Sequence, residues 1–452
     1  MSFRITTNGM FHSYRGNLSR ANKNLFNSMT RVETERKFNS YAEDPAAANR
    51  AFQMRRSYWN TGNQIDNTNY LLAKFQTGWD AVDSIVDGND DRPGLDGILQ
   101  SLRGITGTAG AGRSILGRTL ISTAEAIVGA MNVRYGDTYV FAGADGLNVP
   151  FTWRIEKDAE GNVTDKILLY RGVPVDTEDP EAVMEKYSLS AADLQLKRPE
   201  DEPMTEGQFY GLDKDYSSLK GSEDGSKLSF EEYLKDQGIN KLDATFDDYK
   251  NWFSEKNELT YEYDTALKLQ EYDNAVKLQE MNNESTLVDI GLGFRLNEDG
   301  ITINPATAYN SALSGIQILG FGFDKNGNAK NIVSLMQELG EIFNRCDSES
   351  GEYNKDYPGD EARAEELVVL LRKAIGDVQE QHAILDGKSD YLQKNLVQLD
   401  DNKFNLNTEI LDIEEMDMAA AIQDMMWAQY TYNAALRIGT QILSQSLFDY
   451  LS

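Results

Sequence analysis

LRKAIGDVQEQHAILDGKSDYLQKNLVQLDDNKFNLNTEILDI, residues 371–413, sets Leu371, Val378, Leu385, Leu392, Leu399, Leu406 and Ile413 seven apart without a gap. Ile375, Leu396 and Ile410 fill the matching second position. Apolar residues at this spacing lie on one seam of a helix that pairs with another helix. The run predicts a helix of roughly 60 Å at 1.5 Å per residue. These residues are the expected core of a long paired-helix domain.

A second run follows, from about Asp417 to Tyr450, with Ile422, Met425, Tyr432, Leu436, Leu443 and Leu447. Its only charges are Asp417, Asp424, Arg437 and Asp449. A helix apolar most of the way round has to be covered, here by partners. The other end of the chain answers it. Phe11, Tyr14, Leu18, Ala21 and Leu25 recur at threes and fours, with Val32 a heptad on. Asp44-Pro45 reads as an N-cap and first-turn proline of a second helix. That helix carries Ile65, Leu72, Trp79 and Val86 at sevens, with Phe75 and Val82 between. Gly88 to Gly97 reads as a turn, and a third helix is expected from about Arg113 to Tyr135.

The middle differs. Runs such as Lys166-Ile167-Leu168-Leu169-Tyr170-Arg171 and Gly300-Ile301-Thr302-Ile303-Asn304 alternate and are divided by turn residues. Tyr263–Glu271 is followed directly by its near copy Tyr272–Glu280, which reads as a tandem duplication in a tolerant surface helix. The fold class expected is mainly α with a mixed α/β insert. Long helices from both termini pack together, and the outer domain is inserted between them. The expected domains are an inner one of residues 1–44 with 416–452, a helical second one of 45–150 with 323–415, and an acidic insert of 151–322. The first and last helices are expected to pair, with Leu436, Leu443 and Leu447 on a seam facing Leu18 and Leu25 or a neighbouring subunit. Together with Phe11, Ile422, Tyr432 and Phe448 these are the candidate assembly residues.

Charge narrows the partners. The chain of 452 residues carries a net charge of −29 at pH 7, which argues against nucleic acid and anionic membrane surfaces. Residues 1–60 hold ten Lys/Arg against four Asp/Glu, whereas residues 151–300 hold seventeen against thirty-five. Basic and acidic ends fit pairing, but exposed ion pairs contribute only about 0–1 kcal/mol each. Burial of the apolar seam is the larger effect. No apolar run of about 18 residues exists to span a membrane, and the first residues lack the apolar core of a secretory signal.

Chemistry-bearing motifs are sparse. One cysteine, Cys346, and two histidines, His12 and His382, leave little for a zinc site or a nucleophilic centre. His382 falls in a packed slot of the long heptad. Loops centred on Gly225 and Gly327 do not place carboxylates where an EF-hand needs them, and Asn326-Gly327 reads as a tight turn. Gly104, Gly107, Gly110 and Gly112 lack the Gly-Lys-Ser/Thr of a phosphate loop. No catalytic residue, metal or cofactor is expected. An activity in the insert would require a convergent polar pocket there with shifted carboxylates.

Several segments together resemble the flagellin and hook-associated protein superfamily of the bacterial flagellum. Phe3-Arg4-Ile5-Thr6-Thr7-Asn8 resembles its N-terminus. Phe38 to Ala48 resembles its N-x-x-x-D-D-P-x-A-A segment, with Glu43 at the first paired aspartate. Tyr139-Val140-Phe141-Ala142-Gly143 is similar to the Y-x-F-A-G element of the hook-associated protein 3 branch. Asp417-Met418-Ala419-Ala420-Ala421-Ile422 resembles the D-x-A-x-A helix start, and Leu443 to Leu451 the junction-type ending. The resemblance covers roughly 1–150 and 330–452. It implies a structural subunit joining hook to filament, a coiled-coil inner domain, self-assembly as a ring in a helical tube, and type III export without a cleaved signal. It also implies hook-associated protein 1, flagellin and a cytosolic export chaperone as partners. A flagellin, an enzyme carried by the insert and a cytosolic coiled-coil scaffold are the competing readings.

Overall fold

A computed structural model describes residues 7–38, 40, 42–89, 92–105, 112–196, 198–199, 201–221, 227–257 and 263–451. Helix accounts for 62% and strand for 9%, so the chain is mainly α with small sheets. It divides into two compact units, residues 1–67 with 395–452 and residues 68–394. Breaks between helices fall near residues 44 and 415: α1 is Thr7–Thr34 and α2 Pro45–Val86. Likewise α12, Asp360–Glu414, gives way to α13, Met418–Leu451.

In the first unit those two breaks are joined. The Lys37 amide donates to the Glu414 carbonyl at 2.8 Å, and the Met416 amide to that of Glu35 at 3.0 Å. Arg36 and Glu415 form an antiparallel bridge. Both following helices start on an aspartate, as their sequences require: Asp44 Oδ1 accepts from the Ala47 amide at 2.9 Å and Asp417 Oδ1 from that of Ala419 at 2.9 Å. From this joint α1 and α13 run back antiparallel, side by side.

The second unit is built on a helical base. Short helices α3, Leu95–Ile105, and α4, Arg113–Met131, follow a two-residue hairpin of Gly88–Asn89 with Arg92–Pro93. The turn anticipated to Gly97 thus ends earlier, at a hairpin, and the third helix stops at Met131, four residues short of Tyr135. Much later in the chain α11, Ile332–Asn344, crosses α4. Phe75 and Val82 of α2 and Leu371, Val378, Leu385 and Leu392 of α12 are buried in this unit.

The insert enters and leaves through one ladder. Ala142–Gly143 pairs with Leu313–Ser314, and the Phe141 carbonyl accepts from the Gly315 amide and from Tyr170 Oη, both at 2.9 Å. The Tyr139–Gly143 element therefore forms the neck of the insert, with Val140, Phe141 and Ala142 fully buried. Beyond it β1 (Phe151–Lys157), β2 (Val163–Tyr170) and β3 (Val173–Pro174) make an antiparallel sheet in that order. The rest of the insert holds the helices α5 (Pro180–Tyr187), α6 (Glu206–Gly211), α7 (Phe230–Asp236), α8 (Phe246–Lys256), α9 (Tyr263–Asn282) and α10 (Gly315–Leu319), and a short pairing of Leu287–Val288 with Tyr309–Asn310. Thr205, Ser229 and Thr245 each cap a helix with a reciprocal bond from the third residue on. These helices enclose an aromatic core of Phe209, Tyr216, Phe230, Tyr249, Trp252, Phe253 and Tyr263.

Two expectations for the insert are corrected. The Gly300–Asn304 run is no strand but a tight bridge of Leu296 to Ile303, with Ile301 83% exposed, because Asp299 caps the turn beneath it. The duplicated segment is no tolerant surface helix. Nine residues advance an α-helix by two and a half turns, so equivalent positions of the copies face opposite ways. Yet Ala266 and Leu269 of the first copy and Ala275 and Leu278 of the second are all buried. Helix α9 is therefore covered on two sides, packing with α8 and with α5 and β3.

Candidate functional site

Along α13 the less exposed residues include Met418, Ala421, Met425, Ala428, Tyr432, Ala435 and Gly439, alternately three and four apart. On α1 they include Tyr14, Leu18, Ala21, Leu25, Ser28 and Val32 at the same alternation. Of the first-helix candidates, Leu18 and Leu25 lie on this line. On α13 only Tyr432 of the described candidates lies on the seam. Ile422 and Leu436 are exposed, on the outer side, as is Phe11 on α1. The side chains of Leu443, Leu447 and Phe448 lie outside the described residues. The seam on α13 was hard to read because four of its seven residues are alanine or glycine, which let helix axes approach but are less conspicuous than leucines.

The outer sides of this unit carry large apolar groups. Phe26, Phe52, Trp59, Met426, Trp427, Tyr430 and Ile438 are all more than half exposed, and Trp427 and Tyr430 meet edge to face at 6.4 Å. Apolar area of that extent is ordinarily an interaction surface. Basic and acidic groups sit among it: Arg55 is paired with Glu414, and both line a cleft with Tyr58, Trp59 and Leu411. On α12, Leu399 and Ile410 are buried while Leu406 and Ile413 are half-buried.

The second unit holds a polar cleft of about 560 Å³, lined from the sheet, α6, α9, α11 and α12. Asp176 and Glu341 lie in it. Burial is the main cause that raises both carboxyls, Asp176 to about 6, with the charges of Asp165 and Glu338 adding to it. Neither histidine nor cysteine is among its lining residues. Sequence reasoning assigned no site to this cleft. Asp176 stands in a strand-edge run, Val173-Pro174-Val175-Asp176, with nothing local to show that α6, α9, α11 and α12 close over it.

The remaining candidates have structural surroundings. His382 stacks on Trp79 with ring centroids 4.9 Å apart, and its Nε2 lies 3.6 Å from Asp83. Cys346 is buried, its thiol shifted upward by that burial, and its Sγ donates to the Ile342 carbonyl. His12 is exposed on α1. Around Gly327, at φ 81°, Asp324 accepts from the Asn326 and Asn328 amides, which closes a turn and lowers its carboxyl. Gly225, Gly107 and Gly110 lie outside the described residues. Among the described residues no group of three His, Cys, Asp or Glu side chains converges as a metal site, and no helix is long and apolar enough to cross a membrane. No protein-family model matches this sequence, and no curated protein matches it.

Proposed function

We propose that the chain is a structural subunit of the flagellin and hook-associated protein type, joining hook to filament through its terminal helices. The observation that carries this reading is the pairing of α1 with α13, which leaves Phe26, Trp427 and Tyr430 uncovered on the outside. Exposed aromatic groups on a thin helical unit are stabilised when copies pack side by side. The described residues of the terminal segments that resemble the superfamily belong to this unit, and the Y-x-F-A-G element to the neck of the insert. In this reading the terminal helices form a coiled coil in the assembled ring. Copies of the chain are its lateral neighbours, hook-associated protein 1 and flagellin its axial ones. A cytosolic chaperone covers the last helix before type III export to the cell exterior.

Removal of the protein from its source bacterium tests this. Hooks should remain while flagellin is shed into the medium. Intact filaments on such cells would exclude the junction role. Copy number separates the alternative, a flagellin, which would be present in thousands per filament rather than a single ring. A second reading, an activity carried by the insert, is favoured by the polar cleft with its two raised carboxyls. Its first requirement is that the cleft bind a small molecule.

A further inference from the structure

The first unit holds a groove between α2 and α12. Two clefts, of about 390 and 140 Å³, adjoin through Arg36, Arg55 and Glu414, which line both. Trp59 and Leu411 stand on the walls of the larger cleft and Phe52 on a wall of the smaller. Phe52 and Trp59 are seven apart on α2, and Phe404 and Leu411 are seven apart on α12. All four are exposed. The buried line of α12 in this unit runs instead through Leu399 and Ile410. Each helix therefore keeps an apolar rail at heptad spacing besides the seam it already uses. Two such rails across a groove are what a third helix packs into. The polar floor is answered within the chain: Arg55 pairs with Glu414, and Arg36 bridges to Glu415. The groove lacks an apolar cover.

Charge selects the cover. From residue 395 to its end, α12 carries Asp400, Asp401, Glu409, Asp412 and Glu414 against Lys403 alone. Asp400 and Asp401 precede Phe404, and Asp412 follows Leu411. Helix α1 has the opposite balance, with Arg15, Arg20, Lys23 and Arg31 against Glu33 alone. Among the described residues neither Arg15, Arg20 and Lys23 nor Asp400, Asp401 and Asp412 form an ion pair, so the two sets do not meet within one chain. Beside its cations α1 also exposes Phe26 and Met29, three apart and hence one turn apart on one side. Helix α13 is as apolar, but Asp424 and Arg437 are the only charges between Met418 and Gln441, so it cannot answer the carboxylates of α12.

We propose that α1 of a second copy of this chain docks in the α2–α12 groove. Its Phe26 and Met29 lie between the Phe52–Trp59 and Phe404–Leu411 rails, and Arg20 and Lys23 face Asp400 and Asp401. The proposal rests on the assembly reading above and names the two surfaces that meet. They differ, so every copy offers one groove and one basic helix, and the contact passes from copy to copy.

The test is sedimentation of the full chain over a range of concentrations. About 0.15 M salt screens the general repulsion between acidic copies. The wild-type chain should associate as concentration rises. Arg20→Glu with Lys23→Glu, and separately Asp400→Lys with Asp401→Lys, should each weaken association at least tenfold with unchanged circular dichroism. Mixing the two variants should restore it, because each reversed helix then meets a reversed rail and each native helix a native one. Trp59→Ser, which leaves every charge in place, should weaken it as well. A wild-type chain that stays monomeric throughout overturns the proposal and leaves the groove to a different protein. Association that survives both reversals, or that mixing does not restore, overturns this contact and moves the assembly of copies to another face. The assembly reading itself fails separately, on intact filaments in cells lacking the protein.

Discussion

A Cβ placed on Gly439 would stand 1.9 Å from Tyr14 Oη and 2.3 Å from its Cζ, so the tyrosine of the first helix lies directly on the glycine backbone of the last. This contact and the joint at Glu35–Met416 tie opposite ends of the two helices and make them antiparallel. It also gives a sign test. In an open helix Gly→Ala stabilises by about 0.5–1 kcal/mol. Gly16 on α1 has nothing within 4 Å of such a Cβ, so Gly16→Ala should slow amide exchange in α1. Gly439→Ala should do the reverse, costing about 1–3 kcal/mol by overpacking, and Tyr14→Ala in the same chain should relieve it. Faster exchange in neither α1 nor α13 on Gly439→Ala would mean that Tyr14 does not sit there.

The α4–α11 crossing depends on a second pair of glycines. A Cβ on Gly117 would lie 2.7 Å from both the Gly340 carbonyl oxygen and the Asn344 amide nitrogen, backbone atoms that cannot swing aside. Gly117→Ala should therefore destabilise the second unit by on the order of 1–3 kcal/mol and lower its urea midpoint accordingly. Gly376 on α12 meets nothing, and alanine there should raise the midpoint slightly. Equal responses at the two sites would place the helices further apart than described.

Asp176 predicts an unusual pH dependence of stability. Its folded-state carboxyl is raised above its unfolded value, so the folded chain holds the proton more tightly. That contribution is fully present below about pH 4 and is lost as pH rises through about 6, where ionisation costs on the order of 2–3 kcal/mol. Asp176→Asn should consequently raise the melting temperature at pH 8 and leave it nearly unchanged at pH 4. Thermal denaturation of both proteins at the two pH values decides it. A larger gain at the acidic pH would reverse the assigned sign.

Removing residues 272–280 should not be tolerated. The deletion keeps the first copy of the duplication but leaves α9 with only one of its two buried faces, since the second is supplied by Ala275 and Leu278. It also removes Asp273, whose carboxylate accepts from Arg198 at 2.6 and 2.8 Å. Loss of near-ultraviolet circular dichroism from the aromatic core, or aggregation, is the expected outcome. A shortened chain with native spectra and melting behaviour would restore the view of this segment as a surface addition.

Trp427→Ser and Tyr430→Ser should leave folding within about 0.5 kcal/mol, as for most exposed positions, because each is more than half exposed. In the assembly reading the double variant should remain monomeric and fail to support filaments. Normal motility with the double variant would move the contact to another face of the unit.

Helix content was legible from spacing alone, because a heptad repeat has only one regular backbone on which it forms a seam. Residues 371–413 and 11–32 state their helices in that way, and Asp44-Pro45 states a start, since local capping needs no distant partner. Which side of a helix is covered is a different matter. Leu436 and Ile422 look like core by composition, yet the covered line of α13 runs through alanines and Gly439, a choice made by the residue opposite, Tyr14. The duplicated helix carried the same ambiguity: its period lets both faces be apolar, and only the packing of α5 and α8 around it determines that both are used. The cleft at Asp176 was beyond local reading altogether. Its walls come from β2, α6, α9, α11 and α12, spread along the chain from Arg154 to Arg363, and the shift of its carboxyl arises from burial and from neighbouring charges that no short stretch of chain contains.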